Sequence, residues 1–327
     1  MSRALLLRAL ARRSELFARL HDESTDCYRL FHGVAEGRPG LTLDRYGPLL
    51  LAQTWRERLS ADDLEIYRET IEHELAVPLI PIWNHREGDV VRSGDPPEHP
   101  VARELSLRYD VSPHHSGHDP LLFLDLRAGR RLVRKLAGGK RVLNLFAYTG
   151  GVSLCAASAG ATEVWHVDFA RQAELWCRRN FELNGIPLER VRFVREDALC
   201  VLRQLAGLPI KGRGAKGRSY ERVPVVSFDL VILDPPRWSK GAFGAVDVVR
   251  DYPSLLKPAL LATSPGGRLI VTNNAARVPK EEWIRVLRRT GEKCGRGIAE
   301  LTLVEPEEDF PSLDGEPPLK IAMLEMT

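Results

Sequence analysis

The segment of residues 228–238 constrains the fold most strongly. The mostly apolar stretch Phe228–Leu233 is typical of a short buried strand, and it ends abruptly at Asp234-Pro235-Pro236. Two prolines cannot continue a central ladder. We therefore expect Asp234 at the carboxyl edge of a sheet, where open α/β sheets bind ligands. Taken alone, the Asp-Pro-Pro motif is equally compatible with a simple strand stop.

A strand followed by a glycine turn lies upstream of that motif. The pattern predicts a strand from Arg141 to Leu145, a turn containing Gly150-Gly151 and a helix over Val152–Ala159. Glycines in such a turn let the backbone approach a ligand closely.

Strands and helices continue to alternate toward the C-terminus. The predicted elements are strand Glu163–Val167, helix Arg171–Asn184, strand Val191–Val194, helix Asp251–Ala262 and strand Arg268–Thr272. Polar residues follow these strands: Asp168, Glu196-Asp197 and Asn273-Asn274. This order predicts a doubly wound parallel sheet. Asp168 comes roughly 20 residues after the glycine turn, where a carboxylate binds a ribose diol.

The predicted sheet narrows the choice of ligand. Neither the Gly-x-Gly-x-x-Gly dinucleotide fingerprint nor a Gly-x-x-x-x-Gly-Lys-Ser/Thr phosphate loop is present. A turn with few glycines, followed by acids after the second and third strands, suits a nucleoside without pyrophosphate. S-adenosylmethionine is the candidate that fits.

Several specific motifs add a family resemblance. The chain resembles the class I S-adenosylmethionine-dependent RNA methyltransferases of the bacterial 23S rRNA group that includes RlmI and RlmK. The residues that carry the resemblance are Tyr28-Arg29-Leu30, Pro39–Gly47, Phe123–Arg127, Leu143–Gly151, Asp168, Asp197 and Asp234-Pro235-Pro236.

The resemblance implies an α/β fold with two domains. A small N-terminal α+β domain (1–115) would dock the substrate, and a Rossmann-like class I methyltransferase domain (116–327) would hold a seven-stranded, mostly parallel sheet. In the family an N-terminal PUA domain helps to choose the RNA, and we expect no such domain ahead of Tyr28.

The resemblance also implies the site residues. Those expected to bind the cofactor are Phe123, Asp125, Arg127, Asn144, Phe146, Tyr148, Thr149, Gly150, Asp168, Asp197 and Asp234. The expected catalytic residues are Asp234, Pro235 and Asn274. For Asp125 and Arg127 a structural ion pair is the alternative. For Trp238 the alternatives are stacking on a flipped base and simple packing.

The base that is methylated follows from the same comparison. Methylation at cytosine C5 needs a thiolate, because that carbon is not nucleophilic unaided. Family members with this chemistry carry a cysteine after the fourth or fifth strand, where this chain has Arg237-Trp238 and Asn273-Asn274. The asparagine pair resembles the Ser-Asn-Asn of the guanine-N7 branch, and N7 needs only positioning. Guanine N7 is therefore favoured over cytosine C5.

Composition is compatible with this function. The chain has 327 residues, a net charge of +3 and five cysteines without metal-ligand spacing. We expect reduced, mostly buried thiols, a cytoplasmic location and no membrane span. The expected partner is RNA, in particular 23S rRNA. A methyltransferase for a small molecule or protein and a non-catalytic RNA-binding protein are the alternatives.

Two further segments have open interpretations. The basic, glycine-rich segment Lys211–Arg222 is either a solvated loop or a clamp on RNA phosphates. The histidine-rich segment Pro113–Pro120 lacks helical His-x-x-x-His spacing, so we expect a loop over the cofactor pocket rather than a metal site.

Overall fold

The structure is a computed structural model that describes residues 3–87, 91–113, 121–210, 219–241 and 243–327. Residues 211–218 of the basic segment and residues 114–120 of the histidine-rich segment lie outside the described residues. The chain divides into two compact units. One comprises Met1–Arg127 with Glu307–Gly315, and the other comprises Ala128–Pro306 with Glu316–Thr327.

The first unit is built on a five-stranded sheet of order β1-β2-β3-β4-β5, in which only the β3–β4 pair is parallel. Leu6, Leu16, Leu43, Leu50 and Tyr67 are part of its core. Its elements are α1 (Arg3–Arg12), α2 (Ser14–Asp22), β1 (Cys27–His32), β2 (Leu41–Tyr46), β3 (Leu49–Thr54), α3 (Ala61–Leu75), β4 (Ile80–His85), β5 (Val91–Ser93), β6 (Val101–Glu104), β7 (Leu107–Asp110) and a 3-10 helix (Leu124–Leu126).

The second unit contains a seven-stranded sheet of order β10-β9-β8-β11-β14-β16-β15, in which β16 alone runs antiparallel. Its elements are α4 (Arg127–Leu136), β8 (Arg141–Leu145), α5 (Gly151–Ser158), β9 (Glu163–Val167), α6 (Arg171–Leu183), β10 (Val191–Val194), α7 (Ala198–Leu205), β11 (Phe228–Leu233), β12 (Trp238–Gly241), β13 (Gly244–Asp247), α8 (Tyr252–Ala262), β14 (Thr263–Asn273), α9 (Lys280–Lys293), β15 (Ile298–Val304) and β16 (Lys320–Met326). The predicted seven-stranded, mostly parallel sheet is confirmed.

The N-terminal segment of the first unit contains two short helices. It forms α1 and α2, which are separated at Arg13. The Arg13 side chain is buried, donates to the carbonyl of Ala9 at 2.9 Å and pairs with Glu36. The Arg13 guanidinium therefore serves the packing between these helices and is not available at the surface.

Arg127 explains why Glu307–Gly315 belongs to the first unit. Its side chain is 0% exposed, and its guanidinium nitrogens donate to Glu104, Asp309 and the carbonyl of Cys27. Asp309 also accepts from the backbone N–H of Arg29 at 2.9 Å. The observed division therefore falls after Arg127, whereas the expected boundary fell at residues 115/116.

We predict that Arg127→Leu lowers the free energy of unfolding by about 3–5 kcal/mol, because it leaves buried carboxylates without their cation. Arg19→Leu is the matched control, since its ion pair with Glu308 is exposed on both sides and is worth at most about 1 kcal/mol. Denaturant unfolding measures both variants. Equal small losses would contradict a buried network that depends on Arg127.

Candidate cofactor and active site

Strand register brings the predicted site residues of the second unit to one edge. Leu145 pairs with Val167 on one side and Leu233 on the other, and Leu233 pairs with Val271. Residues that directly follow paired positions of parallel strands lie at one level too. Those next residues are Phe146, Asp168, Asp234 and Thr272. This carboxyl edge is where such sheets bind ligands.

Asp168 follows β9 and is half-buried. Its Oδ2 accepts from the Tyr148 N–H at 3.0 Å, and its Oδ1 accepts from the Ala170 N–H at 2.9 Å. Burial raises the pKa of Asp168, and the two amide hydrogen bonds oppose that shift. A carboxylate has about four acceptor positions, so each oxygen keeps one for a ligand hydroxyl.

The turn after β8 has an unusual backbone. Phe146, Tyr148 and Gly150 have φ values of 56°, 49° and 78°. Left-handed conformations at non-glycine residues are sparsely populated and cluster at ligand sites. A Cβ on Gly150 would lie 2.2 Å from Cys177 Sγ on α6, so only glycine fits. Thr149 is buried, and its carbonyl accepts from Asn180 at 3.0 Å.

Buried side chains of the elements that flank this turn form a continuous set of hydrogen-bonding contacts. Asn144 Nδ2 donates to Ser153 Oγ at 2.9 Å, and that oxygen lies 3.1 Å from His166 Nδ1. Burial lowers the pKa of His166 to about 3, so the imidazole is neutral. This geometry gives Asn144 a structural role, and its contact with a cofactor stays a prediction.

Asp197 caps α7. Its Oδ1 accepts from the N–H groups of Leu199 at 2.9 Å and Cys200 at 3.3 Å, and the N–H of Phe243 also donates to its carboxylate. Burial raises the pKa of Asp197 despite these bonds. Phe243 lies between β12 and β13 and packs edge-on against Tyr220. The predicted contact of Asp197 with adenine would therefore use carboxylate lone pairs that these three N–H groups do not occupy.

Asp234 is held in place by β14. Thr272 Oγ1 donates to Asp234 Oδ1, and the buried Tyr252 hydroxyl donates to the Thr272 carbonyl at 2.8 Å. Pro235 is buried directly after Asp234. Sequence reasoning missed Thr272, although its position at a strand end beside the Asp-Pro-Pro strand could have indicated it.

Asn273 and Asn274, which end and follow β14, differ in exposure. Asn273 is 0% exposed, and its Oδ1 accepts from the Ala275 N–H at 2.9 Å. Asn274 is exposed at the carboxyl edge. The turn therefore buries one amide and presents the other.

The three predicted site residues of the first unit have different surroundings. Phe123 is 48% exposed and Asp125 is half-buried. Arg127 cannot act as expected, because the buried acceptors Glu104, Asp309 and the Cys27 carbonyl occupy its guanidinium. The expectation of a cofactor contact for Arg127 is corrected to a structural role, as in the ion-pair alternative but with different acids.

Two exposed aromatic residues lie shortly after the carboxyl ends of β9 and β11. Trp238 is 61% exposed, which argues against the packing alternative. Phe169 directly follows Asp168 and is 62% exposed, and it was not among the predicted site residues. An aromatic residue next to a strand-end acid was the sequence signal for it, because an apolar ring there can cover a nucleoside base.

None of the five cysteines directly follows a strand of the seven-stranded sheet. Cys27 is on β1, and Cys155, Cys177 and Cys200 are buried in helices. Cys294 caps the carboxyl end of α9. Burial raises the pKa of Cys200 to about 12, which keeps its thiol protonated.

The edge fits S-adenosylmethionine. Asp168 retains acceptor positions for ribose hydroxyls, Phe169 offers an apolar ring beside it, and the glycine turn after β8 is closely packed. The family model described as S-adenosylmethionine-dependent methyltransferase matches residues 28–324. The chain belongs to this family. The predicted cofactor, enzyme class and family resemblance are thereby confirmed.

Curated relatives of this methyltransferase carry ribosomal RNA names. The chain is 32% identical over 302 residues to a "Ribosomal RNA large subunit methyltransferase" of Deinococcus radiodurans, covering 88% of this chain and 69% of the relative. It is 29% identical over 300 residues to "Ribosomal RNA large subunit methyltransferase I" of Aeromonas salmonicida, covering 87% and 70%.

Solved methyltransferase structures share the fold. SMU.776 complexed with SAH superposes with a TM-score of 0.81 at 23% identity, covering 99% of this chain and 80% of the other. The SAM-dependent methyltransferase from Agrobacterium tumefaciens has a TM-score of 0.66 at 20% identity, covering 92% and 90%.

Among the described ranges, no group of three or more His, Cys, Asp or Glu side chains is placed to hold a metal ion. The helices in the described parts of the chain are too short or too polar to cross a membrane.

We predict that Gly150→Ala lowers the free energy of unfolding more than Gly160→Ala. Both glycines have positive φ, and each substitution strains the backbone by about 1–2 kcal/mol. Only the Gly150 methyl would strike Cys177, whereas the Gly160 methyl meets no described atom within 4 Å. We expect an excess of about 1–3 kcal/mol for Gly150→Ala. Similar losses in denaturant unfolding would contradict the close packing of this turn.

Proposed function

We propose that this methyltransferase modifies a base of large-subunit ribosomal RNA, and that the base is a guanine methylated at N7. The main support for this proposal is the identity of the residues at the carboxyl ends of the strands. The exposed amide of Asn274 directly follows β14, and no cysteine directly follows β11 or β14. The ribosomal RNA names of the curated relatives support the class of substrate.

The reaction needs little from the protein beyond positioning. S-adenosylmethionine supplies an electrophilic methyl group on a sulfonium. The N7 lone pair forms the new N–C bond as the S–C bond breaks, the bonding electrons stay on sulfur, and the positive charge passes to the guanine. No proton has to be removed, so no general base is required.

Each edge residue then has a role. Asp168 would accept from the ribose hydroxyls of the cofactor, and Asp234, fixed by Thr272, would frame the base together with Pro235. Trp238 would stack on the flipped base with its exposed indole. Asn274 would hydrogen-bond the guanine edge, since an amide offers both donors and an acceptor.

Cytosine C5 is the second candidate target. The similarity to relatives named methyltransferase I favours it. The positions of the five cysteines oppose it, because C5 attack needs a thiolate beside the base. Mass mapping of large-subunit rRNA from a deletion strain, before and after treatment with the enzyme, identifies the modified base directly.

We predict that Asp168→Ala weakens S-adenosylmethionine binding by about 1.5–3 kcal/mol, the range of hydrogen bonds to a charged group. Titration calorimetry measures the affinity. Glu189→Ala is the matched control, because Glu189 is an exposed acid that precedes β10 at the opposite edge of the sheet, and its affinity should be unaltered. A folded Asp168→Ala variant with wild-type affinity would remove Asp168 from the site.

We predict that the enzyme forms no covalent adduct with rRNA containing 5-fluorocytidine. A C5 enzyme is trapped there, because its thiolate adds to C6 and cannot leave, whereas an N7 enzyme forms no such bond. Denaturing electrophoresis detects the adduct. We also expect methyl transfer to survive replacement of each cysteine by alanine in folded protein. A trapped adduct, or one indispensable cysteine, would overturn the N7 assignment and leave the methyltransferase assignment intact.

A further inference from the structure

Lys320 is a buried cation that the proposed reaction leaves without a role. It begins β16, and its residue surface is 2% exposed. Its ammonium donates to the Ala275 carbonyl at 3.2 Å. No ion pair involves Lys320 in the part of the chain that the structure describes. Burial lowers its pKa, and the charge of Glu316 only partly opposes that shift.

Packing alone does not account for a buried ammonium that is hydrogen-bonded to a single carbonyl. Removing such a charge from water is unfavourable, and an apolar side chain of similar size would usually serve a core as well or better. The position of Lys320 is therefore more informative than its contribution to stability.

Lys320 lies next to the turn of residues 273–275 at the carboxyl end of β14. Lys320 pairs across the sheet with Asn273, the last residue of β14. Asn273 Oδ1 holds the N–H of Ala275, and Lys320 Nζ holds the carbonyl of the same residue. Two buried side chains thus hydrogen-bond to both backbone polar groups of Ala275, its N–H and its carbonyl. The exposed Asn274 lies between Asn273 and Ala275 in the chain.

We propose that Lys320 is a positioning residue for methyl transfer, which with Asn273 fixes the 273–275 turn so that the Asn274 amide meets the substrate base. The proposal rests on the role of Asn274 in the proposed function. This role explains why the position holds a lysine. The lysine ammonium donates to the Ala275 carbonyl, and an apolar side chain could not restrain that carbonyl.

The chain offers a matched control four residues before Lys320. Glu316 accepts from the Lys280 N–H at 3.0 Å, where α9 begins. The Glu316–Lys320 segment therefore holds the stretch from Ala275 to Lys280 at both ends. Only the Lys320 end lies at the turn that carries Asn274, so Glu316→Gln disturbs the same segment without releasing Ala275.

The first experiment compares Lys320→Met with Glu316→Gln in full-length enzyme. Steady-state transfer of a tritiated methyl group to rRNA from a deletion strain gives kcat and KM. We expect Lys320→Met to lower kcat by about 10- to 100-fold, since a displacement of about 1 Å can cost that much, with S-adenosylmethionine affinity unaltered. Glu316→Gln should keep its kcat. A wild-type kcat in folded Lys320→Met would overturn the proposal.

A double-mutant cycle separates positioning from a general structural effect. If Lys320 acts through Asn274, then Lys320→Met causes little further loss of kcat in an Asn274→Ala background. An equal fold-loss in both backgrounds would overturn the proposal. If Lys320→Met does not fold, Lys320→Arg takes its place, because it keeps the charge but moves the donors, and the same cycle applies.

A third measurement does not depend on RNA. Amide hydrogen exchange of the free enzyme should rise in residues 273–276 of Lys320→Met and stay unaltered there in Glu316→Gln. Unaltered exchange at the turn in Lys320→Met overturns the proposal whatever the substrate is. The modified base is read from the wild-type product, so a base other than guanine contradicts the proposed function and leaves the test of Lys320 unaffected.

Discussion

The parallel pairing of β11 between β8 and β14 is the constraint on which the site depends. Because Leu233 is in register with both Leu145 and Val271, β8 and β11 end at one level, and β14 continues past that level by two residues. A shift of one residue would turn every side chain to the opposite face of the sheet. Asp234 would then lose Thr272, and the chain could not present a strand-end acid and a strand-end amide side by side.

Short apolar runs and their polar ends were enough to predict this sheet. The predicted strand Val191–Val194 coincides with β10, and the helix predicted over Arg171–Asn184 is α6 with one residue more. The start of β14 was predicted at Arg268 but lies at Thr263, because Thr263 pairs with Phe228 ahead of an irregular stretch through Gly266-Gly267. Local patterning cannot show pairing that resumes across glycines.

Local sequence patterns could not show which side chains pair across long distances in the chain. Arg127 belongs to one of the motifs that carry the family resemblance, which made it a candidate for the site, yet its acids include Asp309, 182 positions away. A motif shows that a residue matters and does not show what it touches. Sequence spacing likewise gave no sign that Asn273 would be buried while its neighbour Asn274 is exposed, because that difference arises from a turn closed by Asn273 itself and by Lys320 from another strand.

The chemistry of the site follows from which groups the fold leaves reactive. A cysteine nucleophile needs exposure and a lowered pKa, which neighbouring cations or a helix N-terminus provide. Here burial raises the pKa of both Cys177 and Cys200, and Cys177 is packed against Gly150. The fold therefore uses these two thiols as small apolar side chains. What it exposes after β14 is an amide, which cannot attack a base but can hold one. Such an edge suits the proposed transfer to guanine N7, a nitrogen that carries its own lone pair.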